Sequence, residues 1–325
     1  MKTKLKQFRV AAGMTQAKVA AAVGVTQPNY HRWEVGTAPI PETKLKKLAK
    51  VLKTSPEAML GRHPPVRAGF YDDSVGDDLN YYGEVAIHFC GGGEPLLLSI
   101  SEGAFTRLHR DMQGEAAFVT VESLANQTVA IRTKAIADLY FSSEAYDTYG
   151  PEHGQYRNHI DVQIPDPRDW EIIECLASGD DVESFDPADV ERVRNMVMIT
   201  DEQYEALVAD GSIKPEDLEK ERAKNQVKTD LIFKVALETT YQLSTGQRRS
   251  VYVHGPENLF DAFYELIDFD GGISADDMIR LEAEGPHRIV FINKSALDYV
   301  SIPTHQLNEG RVERDAEALE HAQGK

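Results

Sequence analysis

The fold of the N-terminal region is decided by residues 15–36, TQAKVAAAVGVTQPNYHRWEVG. Thr15 and Thr26 are of a type that caps helix N-termini, and each precedes a run with apolar residues at helical spacing. Gly24 lies between the two runs and permits the left-handed backbone of a tight turn. Pro28 falls in the first turn of the second run, where its missing N–H costs no hydrogen bond. The stretch therefore predicts two short helices joined by a tight turn.

The flanking sequence extends this pattern to five short helices over residues 3–60. An apolar stripe beginning at Leu5 predicts the first helix, which Gly13 ends. A fourth helix is predicted from about Glu42 to Lys53, and residues 55–57 (Ser-Pro-Glu) open a last short one. The N-terminal 62 residues therefore predict an all-α domain, which we call the head.

The head resembles the Cro/lambda-repressor superfamily of bacterial helix-turn-helix regulators, the xenobiotic-response-element (XRE) type. The resemblance covers residues 3–60. It is carried by Arg9, Gly13, Thr15, Gln16, Ala20, Gly24, Val25, Thr26, Gln27, Trp33, Glu34, Gly36, Leu48, Ala49 and Leu52. It implies binding to double-stranded DNA, with the start of the third helix in the major groove.

The resemblance also implies which residues contact DNA. Glutamine and asparagine suit adenine and arginine suits guanine or a phosphate, whereas Pro28 would offer only an apolar contact, for example to a thymine methyl. Gln16 matches the position at which the family clamps a phosphate at a helix N-terminus. The predicted contact residues are Gln16, Thr26, Gln27, Pro28, Asn29, Arg32 and Lys44.

Other head residues are predicted to be structural or are left open. The resemblance implies that Arg9 and Glu34 form an ion pair inside the domain and that Trp33 belongs to its core. Tyr30 suits either the edge of the core or a phosphate contact. Lys44, with its two lysine neighbours at 46 and 47, suits either a phosphate contact or a solvated helix face.

Charge divides the chain of 325 residues into two parts. Its net charge is −18, but the first 62 residues carry +9 and the remainder carries −27. A basic head on an acidic body indicates that only the head meets a polyanion. The two cysteines, the absence of a signal-peptide pattern and the absence of an apolar run long enough to cross a bilayer predict a cytoplasmic location without membrane contact.

The body is predicted to be α+β. Residues 63–80 contain Pro64, Pro65 and Gly69 and are predicted to be a linker. Residues 81–165 and 228–308 each show the order strand–strand–helix–strand–strand–strand, which predicts a duplicated ββαβββ unit packed about a pseudo-two-fold axis. Two unrelated α+β stretches are the alternative. Residues 231–237 are predicted to be the first strand of the second unit.

Between the two units, residues 166–227 are predicted to be an acidic helical connector. Asp186-Pro187 and Thr200 are typical helix starts within it. The final residues, 309–325, are polar and are predicted to be a fraying tail.

The body contains no recognisable catalytic or cofactor motif. A phosphate-binding loop, a dinucleotide fingerprint, a nucleophile elbow and zinc-ligand spacing are all missing. The run from Cys90 to Gly93 is interpreted as a turn between strands, and His153 and His159 as solvated side chains in preference to metal ligands. We therefore expect no enzyme activity, no cofactor and no metal.

The sequence predicts a DNA-binding transcriptional regulator, a repressor, that binds a palindromic operator as a homodimer. Its body would dimerise or sense a signal. The alternative is an antitoxin or a phage-related adaptor, in which the acidic body binds a protein partner and the head serves autoregulation.

Overall fold

The structure is a computed structural model that describes residues 3–145, 159–160, 162–267, 278–283 and 288–322. Five helices form the head, as the sequence predicts. They are α1 (Leu5–Ala11), α2 (Gln16–Val23), α3 (Gln27–Glu34), α4 (Glu42–Val51) and α5 (Pro56–Met59).

Local capping sets the ends of these helices. The Thr15 hydroxyl accepts the Lys18 amide at the start of α2, and Ser55 caps α5 in the same way. Gly24 ends α2 at φ 72°, the left-handed conformation that the tight turn requires. Thr26 lies at the N-cap of α3, but its hydroxyl makes no capping hydrogen bond.

The head has its own apolar core. Its fully buried members come from every one of the five helices: Leu5, Val19, Val23, Tyr30, Leu48 and Met59. Trp33 is also buried there, as predicted. The tyrosine ring of α3 therefore belongs to the core, which decides between the two alternatives that the sequence left open for Tyr30.

The body is a mixed helix-and-sheet structure with antiparallel sheets. Its strands are β1 (Tyr81–Phe89), β2 (Leu96–Ser101), β3 (Phe118–Glu122), β4 (Gln127–Arg132), β5 (Ile136–Ser143), β6 (Glu238–Leu243), β7 (Arg248–Tyr252), β8 (Met278–Glu282), β9 (Ile289–Asn293) and β10 (Leu297–Pro303). Its helices are α6 (Glu102–Asp111), α7 (Pro167–Ser178), α8 (Pro187–Val197), α9 (Asp201–Ala209), α10 (Leu218–Leu237), α11 (Pro256–Ile267) and α12 (Thr304–His321).

The strands form three antiparallel sheets in the described residues, with the orders β2-β1-β5, β3-β4-β10-β6-β7 and β8-β9. The middle sheet joins the two halves of the body, because β4 from the first half pairs with β10 from the second, Val129 opposite Ser301. Strands β1, β2 and β3 and helix α6 enclose one apolar core, and β10, α11 and the β8–β9 hairpin contribute to another.

The element order ββαβββ occurs in both halves, with a 3-10 turn at residues 133–135 in the first and 294–296 in the second. The pairing is also alike, since β1 lies between β2 and β5 as β6 lies between β7 and β10. The turns of the two leading hairpins are in contact. A Cβ atom added to Gly91 would lie 2.1 Å from the carbonyl oxygen of Ser244, and a Cβ atom added to Gly93 would lie 2.8 Å from the carbonyl oxygen of Gly246. Glycine is therefore required where these turns meet. As predicted, residues 90–93 form a turn.

The prediction of a strand at residues 231–237 is wrong. They form the last two turns of α10, not a strand, and the first strand of the second half begins at Glu238. Their apolar side chains serve a helical core instead, because Ile232 and Ala236, four residues apart, are buried against α7 and α8 together with Trp170.

The prediction of a fraying tail at residues 309–325 is also wrong for the residues that the structure describes. From Glu309 to His321 the chain forms the rest of helix α12, and residues 323–325 of the predicted tail lie outside the described residues. This helix is held along its length because it packs against α11, α7 and the head helix α1. Within the described part of the chain, no helix combines the length and the hydropathy needed to cross a membrane.

Candidate DNA-binding site

Helix α3 presents polar side chains to solvent along its exposed face. Gln27, Asn29 and Arg32 are exposed, and no hydrogen bond or ion pair within the described residues engages their side chains. Thr26 and Pro28 are exposed beside them. The sequence predicted all five as contact residues. The fold places Thr26, Gln27, Pro28 and Asn29 at the N-terminus of α3, where free N–H groups and the helix dipole favour an anion, and Arg32 in the last turn of the same helix.

Gln16 is positioned differently. Its side-chain amide donates to Glu34 Oε1 at 3.0 Å and lies 3.3 Å from His31 Nδ1. Its backbone N–H is the first of α2 and also has an acceptor, Glu320 Oε1 at 2.8 Å, from α12. Both polar groups that could clamp a phosphate are therefore occupied in this arrangement of the chain.

Lys44 stabilises the turn of the head. Its ammonium group donates to the carbonyl oxygens of Val23 at 3.0 Å and Gly24 at 3.1 Å, at the C-terminal end of α2. A cation there satisfies carbonyls that have no partner within the helix and complements the helix dipole. This is a structural role that the sequence did not predict, and the DNA contact of Lys44 stays a prediction.

A buried ion pair supports the site from behind. Arg9 Nε donates to Glu34 Oε2 at 2.8 Å, and Arg9 Nη2 donates to Glu34 Oε1 at 3.0 Å. Burial raises the pKa of Glu34, but the hydrogen bonds and the charge of Arg9 outweigh that effect and hold the pKa below its usual value. Burial, with the nearby negative charge of Glu34, raises the pKa of Tyr30 far above its usual value. The pair fixes α1 against α3 and so orients the exposed face.

In the described ranges no group of three potential metal-ligating side chains comes together. The interpretation of His159 as a solvated side chain is wrong, because only 8% of that side chain is exposed and its Nε2 lies 3.7 Å from the buried Glu84 carboxylate. His153 lies outside the described residues. Cys90 is exposed and Cys175 is half-buried, and neither forms a disulfide within the described residues.

Sequence reasoning missed the acidic partners of the head. Glu313 of α12 pairs with Lys6 of α1 at 2.5 Å, and Glu320 contacts both Gln16 and Arg9. The available signal was the spacing of the two glutamates, seven residues or two helical turns apart, which places them on one helix face. The prediction of a fraying tail for residues 309–325 does not include such a face.

The comparisons with known proteins agree with this geometry. Residues 5–59 match the family model described as helix-turn-helix, in the segment whose residues resemble the XRE type. The matched segment includes all seven predicted contact residues, and the match indicates a DNA-binding transcriptional regulator. Neither the curated proteins nor the solved structures contain a match to the chain.

Proposed function

We propose that this chain is a sequence-specific transcriptional repressor that reads a palindromic operator through α3 of the head. The observation that carries the proposal is the contrast within α3. Its core-facing residues, Tyr30, Trp33 and Glu34, are buried, whereas Gln27 and Arg32 face solvent without a partner in the described chain. A helix anchored on one face and free on the other suits insertion into the major groove.

The exposed side chains suit direct reading of bases. Gln27 and Asn29 can each offer a paired donor and acceptor to adenine, and Arg32 can bind guanine or a phosphate. Pro28 lacks a hydrogen-bonding group, so its contact is apolar. The combination of two amides, one guanidinium and one apolar side chain on a single helix supports a defined operator sequence in preference to general attraction to DNA.

A homodimer follows from the small size of one head. A single recognition helix contacts few base pairs, and helix-turn-helix dimers place two such helices about 34–36 Å apart, on half-sites one helical turn apart. In this proposal the body dimerises or senses a signal, has no enzymatic activity, and acts in the cytoplasm with the DNA.

We also propose that the two ββαβββ halves of the body arose by duplication and pack about a pseudo-two-fold axis. Their shared element order, their alike strand pairing and the contact between their leading turns support this. Two halves of similar design would give the body two similar surfaces for a partner copy or a ligand.

One alternative function rests on charge. A body of −27 suits a basic protein partner, as in an antitoxin or an adaptor whose head serves autoregulation. The alternative would be favoured over a free-standing repressor if a basic protein co-purifies with the full chain in stoichiometric amount and dissociates from it in 0.5–1 M salt.

A gel-shift selection from a genomic-fragment library at low salt tests the main proposal. We expect enrichment of fragments that share a palindrome. Arg32→Ala and Gln27→Ala should each cost about 1–3 kcal/mol on the selected operator and relax preference at one position of each half-site. Lys50→Ala removes the same charge as Arg32→Ala from an exposed site on α4 and should leave the preference intact. A library bound without enrichment would contradict the proposal.

A further inference from the structure

Helix α12 connects the body to the head along an acidic face. It leaves β10 at Thr304 and runs beside α1. Glu313 and Glu320 lie two turns apart on this face, and each binds the head: the first to Lys6, the second to Gln16 and Arg9. The acidic body thus contacts the basic head through two carboxylates on one face of α12.

The contact of Glu320 falls on the anion-binding end of α2. Glu320 Oε1 accepts the Gln16 backbone N–H at 2.8 Å and lies 3.4 Å from Arg9 Nη1. A helix N-terminus with a nearby guanidinium binds phosphate for the same reasons that it binds a carboxylate, namely a free N–H group, the helix dipole and a cation. One anion at a time can take the Gln16 N–H.

We propose that Glu320 occupies the position of a DNA phosphate at the N-terminus of α2, so that α12 inhibits DNA binding by its own head. The inference rests on the proposed function, because it assumes that this helix end meets the DNA backbone. In the docked arrangement DNA must displace Glu320 and also approach an acidic body. Inhibition is released when α12 separates from α1 and α2.

The way the head is docked permits that release. A cleft of about 420 Å³ lies between head and body, and it is lined by Lys4 and Lys6 on one side and by Glu171 and Glu313 on the other. Two ion pairs cross it, Lys4 to Glu171 and Lys6 to Glu313. Glu171 is largely buried, whereas Lys6 and Glu313 keep 30% and 33% of their side chains exposed. An exposed pair such as Lys6–Glu313 weakens with salt and contributes little stability, so the docked and released arrangements of α12 can interconvert.

A matched pair of variants on α12 tests the inference in the full-length protein. Glu320→Ala removes the carboxylate from the Gln16 N–H. Glu317→Ala removes the same side chain and charge one turn earlier, where the glutamate pairs with Arg314 of its own helix. Alanine favours the helix, so both variants should fold. Affinity is measured by fluorescence anisotropy on a labelled 30-base-pair random-sequence duplex at low salt.

We expect Glu320→Ala to bind the duplex about 10-fold more tightly than wild type, within the usual range of coupling between sites. Glu317→Ala should change affinity less than 2-fold, which separates the docking contact from general charge repulsion. In parallel, hydrogen exchange of the Gln16 amide should be faster in Glu320→Ala and unchanged in Glu317→Ala.

The other outcomes are distinct. If all three proteins bind with equal affinity, or both variants gain equally, the inhibitory contact is refuted while DNA binding stands. If Gln16 exchange is faster in Glu320→Ala but no protein binds DNA, α12 covers the helix end as described and the proposed function itself is wrong. If exchange at Gln16 is the same in all three, the docked contact is refuted.

Discussion

Arg9 and Glu34 form a two-point ion pair inside the head, with donor–acceptor distances of 2.8 and 3.0 Å and almost no exposure of either side chain. The same Glu34 carboxylate also accepts the side-chain amide of Gln16. One buried charge therefore connects α1, the start of α2 and the end of α3. These are the elements that set the geometry of the exposed face.

Removing one partner of this pair should destabilise the head. Arg9→Ala leaves the Glu34 charge buried without its cation, which typically costs about 3–5 kcal/mol. Hydrogen exchange of the core amides of the head, measured in the full chain, reports the loss. Lys46→Ala is the control, because its pair with Glu42 is exposed and should contribute less than about 1 kcal/mol. Equal effects of the two substitutions would contradict a structural role for the pair.

The same pair predicts acid sensitivity of the head. Burial raises the pKa of Glu34, but the hydrogen bonds and charge of Arg9 lower it by more. The pKa of Glu34 in the folded state is therefore below its value in the unfolded chain. The unfolded state then binds the proton more readily, and stability falls as the pH drops below about 4.5, the ordinary glutamate pKa. Urea unfolding from pH 7 to pH 3 should show this loss, and Glu34→Gln should show a shallower dependence on pH. A wild-type slope equal to that of the variant would rule out the linkage.

Lys44 should act on stability through the carbonyls that it binds. Lys44→Met removes the donor to Val23 and Gly24 and is expected to cost about 1 kcal/mol in urea unfolding. Lys50→Met, on the exposed face of the same helix, should cost less. The predicted phosphate contact can be tested on the same proteins, because its loss would reduce the slope of log affinity against log salt by about 0.9. An unchanged slope would leave Lys44 with the structural role alone.

The head could be predicted from sequence because its signals are local. Thr15, Gly24 and Pro28 determine helix ends through contacts within a few residues, and the apolar spacing between them sets the faces. Residues 231–237 could not be assigned in the same way. Their apolar run suits a strand or a helix, and only packing of Ile232 and Ala236 against α7 and α8 decides for the helix.

The candidate DNA-binding site likewise combines features that local sequence predicts with one contact that depends on the whole fold. Exposure of Gln27, Asn29 and Arg32 follows from helix periodicity once Tyr30 and Trp33 are placed in the core. The occupation of the Gln16 N–H by Glu320 joins residues 304 positions apart in the sequence. Such a contact depends on where α12 leaves β10, which local patterns do not encode.

Tyr299 should tolerate loss of its hydroxyl. The ring is fully buried in β10 and stacks on Phe89 with ring centroids 5.2 Å apart, and in the described chain its hydroxyl has no hydrogen-bond partner. A buried polar group without a partner is destabilising, so Tyr299→Phe should raise the free energy of unfolding by about 1 kcal/mol. Tyr140→Phe, at an exposed ring, is the control and should be neutral. Destabilisation by Tyr299→Phe would mean that the hydroxyl makes a stabilising contact.

Tyr299 also predicts a loss of stability in alkali. Burial raises the pKa of Tyr299 to about 12, above its ordinary value of 10.0. Between these values the unfolded chain loses the proton first, so stability decreases as the pH rises above about 10. Urea unfolding at pH 8 and pH 10.5 should show a larger difference for wild type than for Tyr299→Phe. Equal differences would mean that Tyr299 does not titrate in this way.

The segment predicted to be a linker, residues 63–80, should depend on Arg168 for its position. The guanidinium donates to the carbonyl oxygens of Gly61 at 2.5 Å and His63 at 3.0 Å, and it also pairs with Asp166, whose carboxylate accepts the Val66 amide at 3.0 Å. Arg168→Ala removes these donors, so the linker should open more often and trypsin should cleave after Arg62 or Arg67 several-fold faster. The control is Arg194→Ala, because Arg194 pairs on the surface with Glu191 of its own helix and should leave the cleavage rate unchanged. Gel analysis of a digestion time course, with fragments identified by mass, gives the rate at each site. Equal cleavage in Arg168→Ala and wild type would mean that the linker is held by other contacts, such as that of Val66 with Asp166.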